Sequence, residues 1–293
     1  MSFSPFDPEG SDPRRRRFRG IPVRVLVPNV ITLLALCAGL TAIRLAFEQK
    51  LELALAAIVF AAALDGLDGR IARLIKGQSK FGAELDSLAD FVNFGCAPAL
   101  MLYLWDLSDY GNVGWIAAMV FAICGALRLA RFNVMIEDPN RPLWGGNFFT
   151  GVPAPAGAII VMLPIYLNLL GVPKAPPTVV LLYTLGVASL MVSQLPVFSG
   201  KRVGKRVPPD MVLPVFVFVV LFIALLIAYP WWVLSIGTVC YLVCLPLGWF
   251  SYRAHRRRDA AHAAAAAAAA AENLGPGATL QSVEEPERPA RLN

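Results

Sequence analysis

The stretch from Leu64 to Phe91 reads LDGLDGRIARLIKGQSKFGAELDSLADF, and it sets five acidic side chains where two long apolar runs meet. Asp65 and Asp68 stand three residues apart near the end of the first run, and Asp86 and Asp90 four apart near the start of the next. On helices, both spacings put each pair on one face. The connection, about Ile75 to Phe81, contains Gly77 and Ser79 and is short, which predicts two antiparallel helices whose acidic faces converge. At about 1.5 Å of rise per residue, a helix starting at Leu51 carries Asp65 about 21 Å along its axis, and one starting near Phe81 carries Asp86 and Asp90 about 8 and 13 Å along. In an apolar layer roughly 30 Å thick, all four carboxylates reach similar depth. Glu84 is turned about 200° from Asp86 and is expected to face away from them.

The surroundings are those of a polytopic membrane protein. The 293 residues are 57% hydrophobic and 16% charged, with a mean hydropathy of +0.61, whereas soluble domains carry roughly 25% charged residues. Apolar windows of membrane-crossing length fall at about 27-47, 51-75, 82-105, 113-135, 150-170, 177-198, 211-229 and 231-251. These windows predict an all-α fold of about eight transmembrane helices. Lysine and arginine at the ends of the windows and in the segments that flank them divide 21 against 3, the minority being Arg44, Lys50 and Lys174. Short cytoplasmic loops hold such an excess, so both termini are expected in the cytoplasm.

The net charge of +6 and the pI near 9.2 do not point to nucleic acid, because the basic residues sit at the ends of apolar runs and not in a stripe with aromatics. Residues 1-20, ending in RRRRFRG, read as a disordered basic arm at an anionic membrane surface. Residues 21-252 form the membrane domain, and 253-293 a low-complexity, alanine-rich and charged tail. Cys37, Cys96, Cys124, Cys240 and Cys244 all lie in apolar stretches without zinc or disulfide spacing. Both histidines, His255 and His262, are in the tail, so acid-base chemistry within the membrane falls to carboxylates, lysine or tyrosine.

Four converging carboxylates repel one another, and each costs roughly 3 kcal/mol to place near a bilayer centre. Arg70, Arg73 and Lys76 offer one remedy, an ion-paired structural cluster. Divalent metal ions offer another. Two aligned pairs of short oxygen ligands, with no histidine or thiol, suit hard cations such as Mg²⁺ or Mn²⁺, and two such ions can bind and activate a diphosphate. Gly66 and Gly69 each cost about 1 kcal/mol in a helix, which fits close approach of a ligand or of a packed helix. Arg73 is placed to hold a phosphate as a fork donor.

The pattern Asp65-x-x-Asp68-Gly69-x-x-Ala72-Arg73, followed after eight residues by Gly82-x-x-x-Asp86-x-x-x-Asp90, resembles the signature of the CDP-alcohol phosphatidyltransferases without a departure. That resemblance implies a helical membrane core that transfers a phosphatidyl group from a CDP-linked lipid to an alcohol and releases CMP. It implies that Asp65, Asp68, Asp86 and Asp90 ligate two divalent ions, and that Asp90 is also the general base. It further implies CDP-lipid contacts from Gly69, Arg73 and Ser79, and from Asn29 and Thr32 in the segment PNVIT, although a helix cap is a competing reading of Asn29. A homodimer in the cell's inner membrane, with its site facing the cytoplasmic leaflet, is implied as well.

Three further stretches, DSLADFVNFGCAPA (86-99), RLARFNV (128-134) and FFTGVPAPAGA (148-158), resemble the phosphatidylserine synthase branch of that family, with Asn93 where serine is common. The expected substrates are therefore CDP-diacylglycerol and L-serine; glycerol 3-phosphate, inositol phosphate or choline are the alternative acceptors. Arg128 and Arg131 are candidates for holding the acceptor or a lipid phosphate, against simple interfacial snorkelling. The prolines of GVPAPAGA either kink the fifth helix or begin it. A cation or proton transporter also uses intramembrane aspartates, but here they are confined to one hairpin, and paired broken helices are not evident.

Overall fold

The structure, a computed structural model, describes residues 23-137, 148-193, 196-198 and 209-245. The predicted basic arm and alanine-rich tail lie outside the described residues. Two long helices, α1 (Val23–Phe47) and α2 (Leu51–Leu74), form the first hairpin. The chain continues through α3 (Lys80–Asp90), a π-helical turn (Phe91–Cys96) and α4 (Ala97–Trp105) as one rod, then a short 3₁₀ turn (Leu107–Tyr110) and α5 (Asn112–Glu137). The fifth apolar window is divided at Met162 into α6 (Ala154–Val161) and α7 (Leu163–Leu169). Then come α8 (Pro177–Val192), α9 (Pro209–Ala228) and a last helix, α10 (Pro230–Leu245).

Among the described residues, four helices are long and apolar enough to cross a membrane: Arg24–Phe47, Lys80–Trp105, Asn112–Met135 and Met211–Ala228. The last has none of its apolar window buried against the protein, and its exposed valines, leucines and phenylalanines suit contact with lipid. The fold departs from the all-α expectation at one place, where Phe148–Thr150 pairs antiparallel with Pro196–Phe198. The pairing leads into the GVP segment: Gly151 has φ +77°, a Cβ there would stand 2.5 Å from the Met191 carbonyl oxygen, and the Val152 N–H donates to Leu190. Val152 precedes a proline and so favours extended backbone, which holds the start of α6 against the end of α8. Pro153 precedes α6 and Pro155 lies in its first turn, so these prolines begin the helix.

Small residues bring α1 and α2 together. Ala35, Ala42 and Ala46 recur on one side of α1 and are at most 1% exposed, facing Ala54, Leu55, Ile58 and Ala61 of α2. Such seams let backbones approach where lipid removes the hydrophobic drive to pair. Both helices end with a residue at positive φ, Gln49 and Lys76, and with the paired backbone bonds of a Schellman motif. Gly77 then passes so close to α1 that a Cβ would stand 2.0 Å from the Arg24 carbonyl oxygen. The acidic hairpin is thereby locked to the first turns of α1.

The three cations of the sparsely basic side are all ion-paired. Arg44 and Lys50 each lie 2.8 Å from Glu48, and Lys50 foremost, with Arg44, holds that carboxyl below its usual range. Lys174 lies 2.7 Å from Asp106, which is fully buried and has no other polar partner among the described residues. The same ammonium donates to the Trp105 carbonyl at 3.0 Å and sits over the Trp105 ring. Lys174 thus closes the C-terminus of α4 from the α7–α8 connection. Replacing it with methionine leaves a buried carboxylate unpaired and is expected to cost about 3 kcal/mol, the low end for a buried pair because the ammonium is partly exposed. Thermal unfolding in detergent should show a lowered midpoint for Lys174→Met that the double variant with Asp106→Leu largely restores; equal loss in both would remove the ion pair as the cause.

Candidate active site

Each acidic residue is placed by the helix that carries it. α2 runs unbroken through Asp65 and Asp68 to Leu74, and Ser79 starts α3 by accepting the Gly82 N–H at 2.9 Å, as an N-cap serine does. α2 and α3 both pack on α1, which brings Asp65, Asp68 and Asp86 together, one oxygen from each lying within 4.8 Å of the others. Asp90, one turn beyond Asp86, has its carboxyl hydrogen-bonded to that of Asp65 and within electrostatic reach of Asp86 and Asp68. Glu84 is exposed and outside this group.

α1 supplies the third wall. Thr32 Oγ1 lies 2.7 Å from Asp68 Oδ2 and 3.1 Å from the Pro28 carbonyl oxygen, either of which accepts its proton. Asn29 sits well inside α1, six residues after its start, so it is not a helix cap. Its side chain fills the space above Gly82, where a Cβ would stand 2.7 Å from Asn29 Oδ1. Asn29, Thr32, Gly69, Arg73 and Ser79, all expected to contact a CDP-lipid, line one cavity of about 450 Å³ together with Asp68 and Asp86. Gln78, which the sequence reading passed over, lines it too; its place beside Ser79 in the connection was the available signal.

The ion-paired explanation of the acidic cluster does not hold. None of the four aspartates forms a salt bridge among the described residues, and the Arg73 Nε donates instead to the Gly69 carbonyl at 3.0 Å. Helix packing does not account for the two glycines either. A Cβ at Gly66 or Gly69 would meet no atom within 4 Å, and at Gly69 the open space belongs to the cavity.

The two arginines of RLARFNV part company. Arg131 Nη1 donates to the Val192 carbonyl at 2.8 Å and so closes the last turn of α8. Arg128 is 8% exposed, lies over the Phe132 ring at 5.6 Å, has no partner for its Nε and feels the charge of Asp90. Asn93 is buried against Gly39, where a Cβ would stand 1.9 Å from Asn93 Oδ1, and neither amide atom has a hydrogen-bond partner among the described residues. It sits in the π-helical turn directly after Asp90. The cause of that turn is Pro98, which has no N–H for the Phe94 carbonyl; the Ala97 N–H reaches back five residues to Val92 instead.

The sequence model of the family described as CDP-alcohol phosphatidyltransferase matches residues 25–195, and that described as CDP-alcohol phosphatidyltransferase 2 matches 210–246. The chain is 51% identical over 147 residues to a Mycobacterium tuberculosis protein named CDP-diacylglycerol–serine O-phosphatidyltransferase, covering 50% of each. Proteins of the same name are 39% identical over 237 residues in Mycobacterium leprae, covering 79% of this chain and 77% of the relative, and 34% identical over 230 residues in Helicobacter pylori, covering 76% and 91%. The matched region spans about half the length of the Mycobacterium tuberculosis relative.

The donors fit divalent ions. Three carboxylates from two rigid helices offer only oxygen, and oxygens on opposite sides of a Mg²⁺ stand about 4.2 Å apart, within reach of small side-chain rotations. The Asp65–Asp90 contact also needs a proton or a cation between the two groups. Mn²⁺ is therefore expected to raise the thermal unfolding midpoint of the protein, by the equivalent of about 2.7 kcal/mol at a hundredfold excess over its dissociation constant. Asp68→Asn and Asp86→Asn should each lose most of that shift; a full shift in both variants would place the ion elsewhere.

Proposed function

The chain belongs to the CDP-alcohol phosphatidyltransferase family, and from that premise we propose that it transfers the phosphatidyl group of CDP-diacylglycerol to L-serine, yielding phosphatidylserine and CMP. The observation that carries this reading is the juxtaposition of an acidic trio without basic partners and a 450 Å³ cavity lined by Asn29, Thr32, Gly69, Arg73 and Ser79. The names of the mycobacterial and Helicobacter relatives support serine as the acceptor.

In this reading Asp65, Asp68, Asp86 and Asp90 hold two divalent ions, Mg²⁺ or Mn²⁺. Such ions, when bound, neutralise the diphosphate and the departing CMP. Thr32 orients the Asp68 carboxylate through its 2.7 Å hydrogen bond. The open backbone at Gly69 admits the nucleotide close to α2, and the outer nitrogens of Arg73, whose Nε is anchored on Gly69, face a phosphate. Asn29, Ser79 and Gln78 offer hydrogen bonds to the cytidine and ribose. Asp90 takes the proton of the serine hydroxyl as its oxygen attacks phosphorus; the new P–O bond replaces the bond to CMP, which leaves as the phosphate anion. Arg128, buried and next in reach of Asp90, receives the serine carboxylate.

The same reading sets the protein in the cell membrane as residues 1-20 of basic arm, a 21-252 catalytic domain of eight crossings with both ends cytoplasmic, and a 253-293 tail. A reaction centre on the cytoplasmic side of the bilayer leaves the acyl chains in lipid while cytidine and serine arrive from water.

Purified protein given CDP-diacylglycerol, Mg²⁺ or Mn²⁺ and L-serine should release CMP and form phosphatidylserine. Release only with glycerol 3-phosphate, inositol phosphate or choline would transfer the reading to that acceptor, and no metal-dependent release with any of them would refute it. Asp90→Asn should lower turnover by a factor of about 10² to 10⁴, the usual contribution of a positioned base, while CDP-diacylglycerol still binds.

A further inference from the structure

Three hydroxyl residues of α10, Ser235, Thr238 and Tyr241, recur every third position and so share one side of the helix. Ser235 is 5% and Thr238 2% exposed, and none of the three hydroxyls has a hydrogen-bond partner among the described residues. The Tyr166 hydroxyl is likewise unpartnered among the described residues, but serines and threonines on other helices behave differently. Thr41, Ser87, Thr184 and Ser189 each donate to the carbonyl four residues earlier in their own helix, the usual resort of a serine or threonine in an apolar helix. Those of α10 make no such bond, and a buried hydroxyl left unpaired is unfavourable. The side of α10 turned into the bundle therefore presents hydroxyls to a partner other than the described residues.

The neighbours tell what that is. Tyr241 is within electrostatic reach of the Arg128 guanidinium, and Arg128 in turn of the Asp90 carboxyl. Arg128 itself has an unpartnered Nε. The groups thus run from α10 across α5 to the base on α3. Arg131, the other arginine of that stretch, is committed to the Val192 carbonyl. One guanidinium among neutral hydroxyls matches a single carboxylate on a molecule that is neutral overall. A phosphorylated polyol brings a dianion, which calls for a second cation that the described residues do not place here.

We propose that α10 forms the far wall of the acceptor subsite, with Tyr241 and Thr238 hydrogen-bonding the ammonium and carboxylate of a zwitterionic amino alcohol whose carboxylate also meets Arg128. This inference rests on the serine reading given above and assigns the acceptor's specificity to a helix remote in sequence from the acidic hairpin. Hydroxyl oxygens accept from the ammonium, hydroxyl protons go to the carboxylate, and the reacting hydroxyl is left to face Asp90.

The test is steady-state kinetics on the full-length protein in detergent, varying L-serine at saturating CDP-diacylglycerol and then the reverse, with thermal unfolding measured alongside. Tyr241→Phe removes one oxygen and should raise the KM for serine about tenfold, the loss of one hydrogen bond to a charged group. The KM for CDP-diacylglycerol and the unfolding midpoint should stay where they are. Thr238→Val should act in the same direction, and Thr238→Ser, which keeps the hydroxyl, should restore the wild-type value. Unchanged serine KM in both Tyr241→Phe and Thr238→Val would overturn the inference. So would a parallel rise in both KM values with a lowered midpoint, which marks a packing role. Wild-type protein that released no CMP with serine would instead end the serine reading itself, before any variant is compared.

Discussion

Four carboxylates brought together inside an apolar bundle constrain everything around them. No salt bridge among the described residues reaches them, and Arg128 acts on Asp90 without pairing with it, so the helices must do most of the holding. That explains why the hairpin is so firmly braced. Schellman ends close both α1 and α2, Gly77 lies against the Arg24 carbonyl, and Asn29 packs on Gly82. Thr32 contacts the cluster from α1 as a neutral group, through Asp68. A site assembled this way is rigid before any ion arrives, which is what a divalent cation with strict geometry requires.

The same constraint explains the composition of the α1–α2 seam. Helices in lipid gain little from burying large apolar side chains against each other, since the tails of the bilayer are equally apolar. Alanine faces alanine here, and van der Waals contact between close backbones does the holding. Bulk is reserved for the second layer, where Phe94, Phe121, Met101 and Tyr166 are fully or almost fully buried between α4, α5 and the broken pair α6–α7. At the far end of α4, Lys174 and Asp106 fix the helix to the α7–α8 connection.

The acidic hairpin was legible in the sequence because local spacing determines it: three and four residues on a helix, a short connection, and a count of rise per residue lead directly to convergence. The ends of the first four apolar windows follow from composition for the same reason. Other features depend on contacts far apart in the chain. Arg131 and Val192 are separated by 61 positions, and nothing near Arg131 foretells that it closes α8 while Arg128, three residues before, turns to Asp90. The three-residue strands arise from a meeting of two connections that flank α6 and α8, and short extended pieces have no periodicity to read. The π-helical turn had a local cause in Pro98, but proline in a first helical turn is compatible with an ordinary helix. Glycine was ambiguous by nature: Gly39, Gly77 and Gly82 admit neighbouring atoms, whereas Gly69 opens on the cavity, and a sequence cannot distinguish a space filled by protein from one left for a ligand.

Division of the site between two groups of helices also bears on how one signature serves many acceptors. The eight signature residues lie wholly on α2 and α3, and six of them, Asp68, Gly69, Ala72, Arg73, Gly82 and Asp86, line the cavity with Asn29 and Thr32 of α1. In the proposed reading the acceptor's side is reached from α5 and α10, through Arg128 and the hydroxyls that have no partner among the described residues. Chemistry at phosphorus needs invariant geometry, because the attacking and leaving oxygens stand in line, whereas recognising an alcohol needs only a matching set of charges at a fixed distance from Asp90. Placing the two demands on different helices lets the second vary without disturbing the first, and it separates the step that binds lipid from the contacts that select what attacks it.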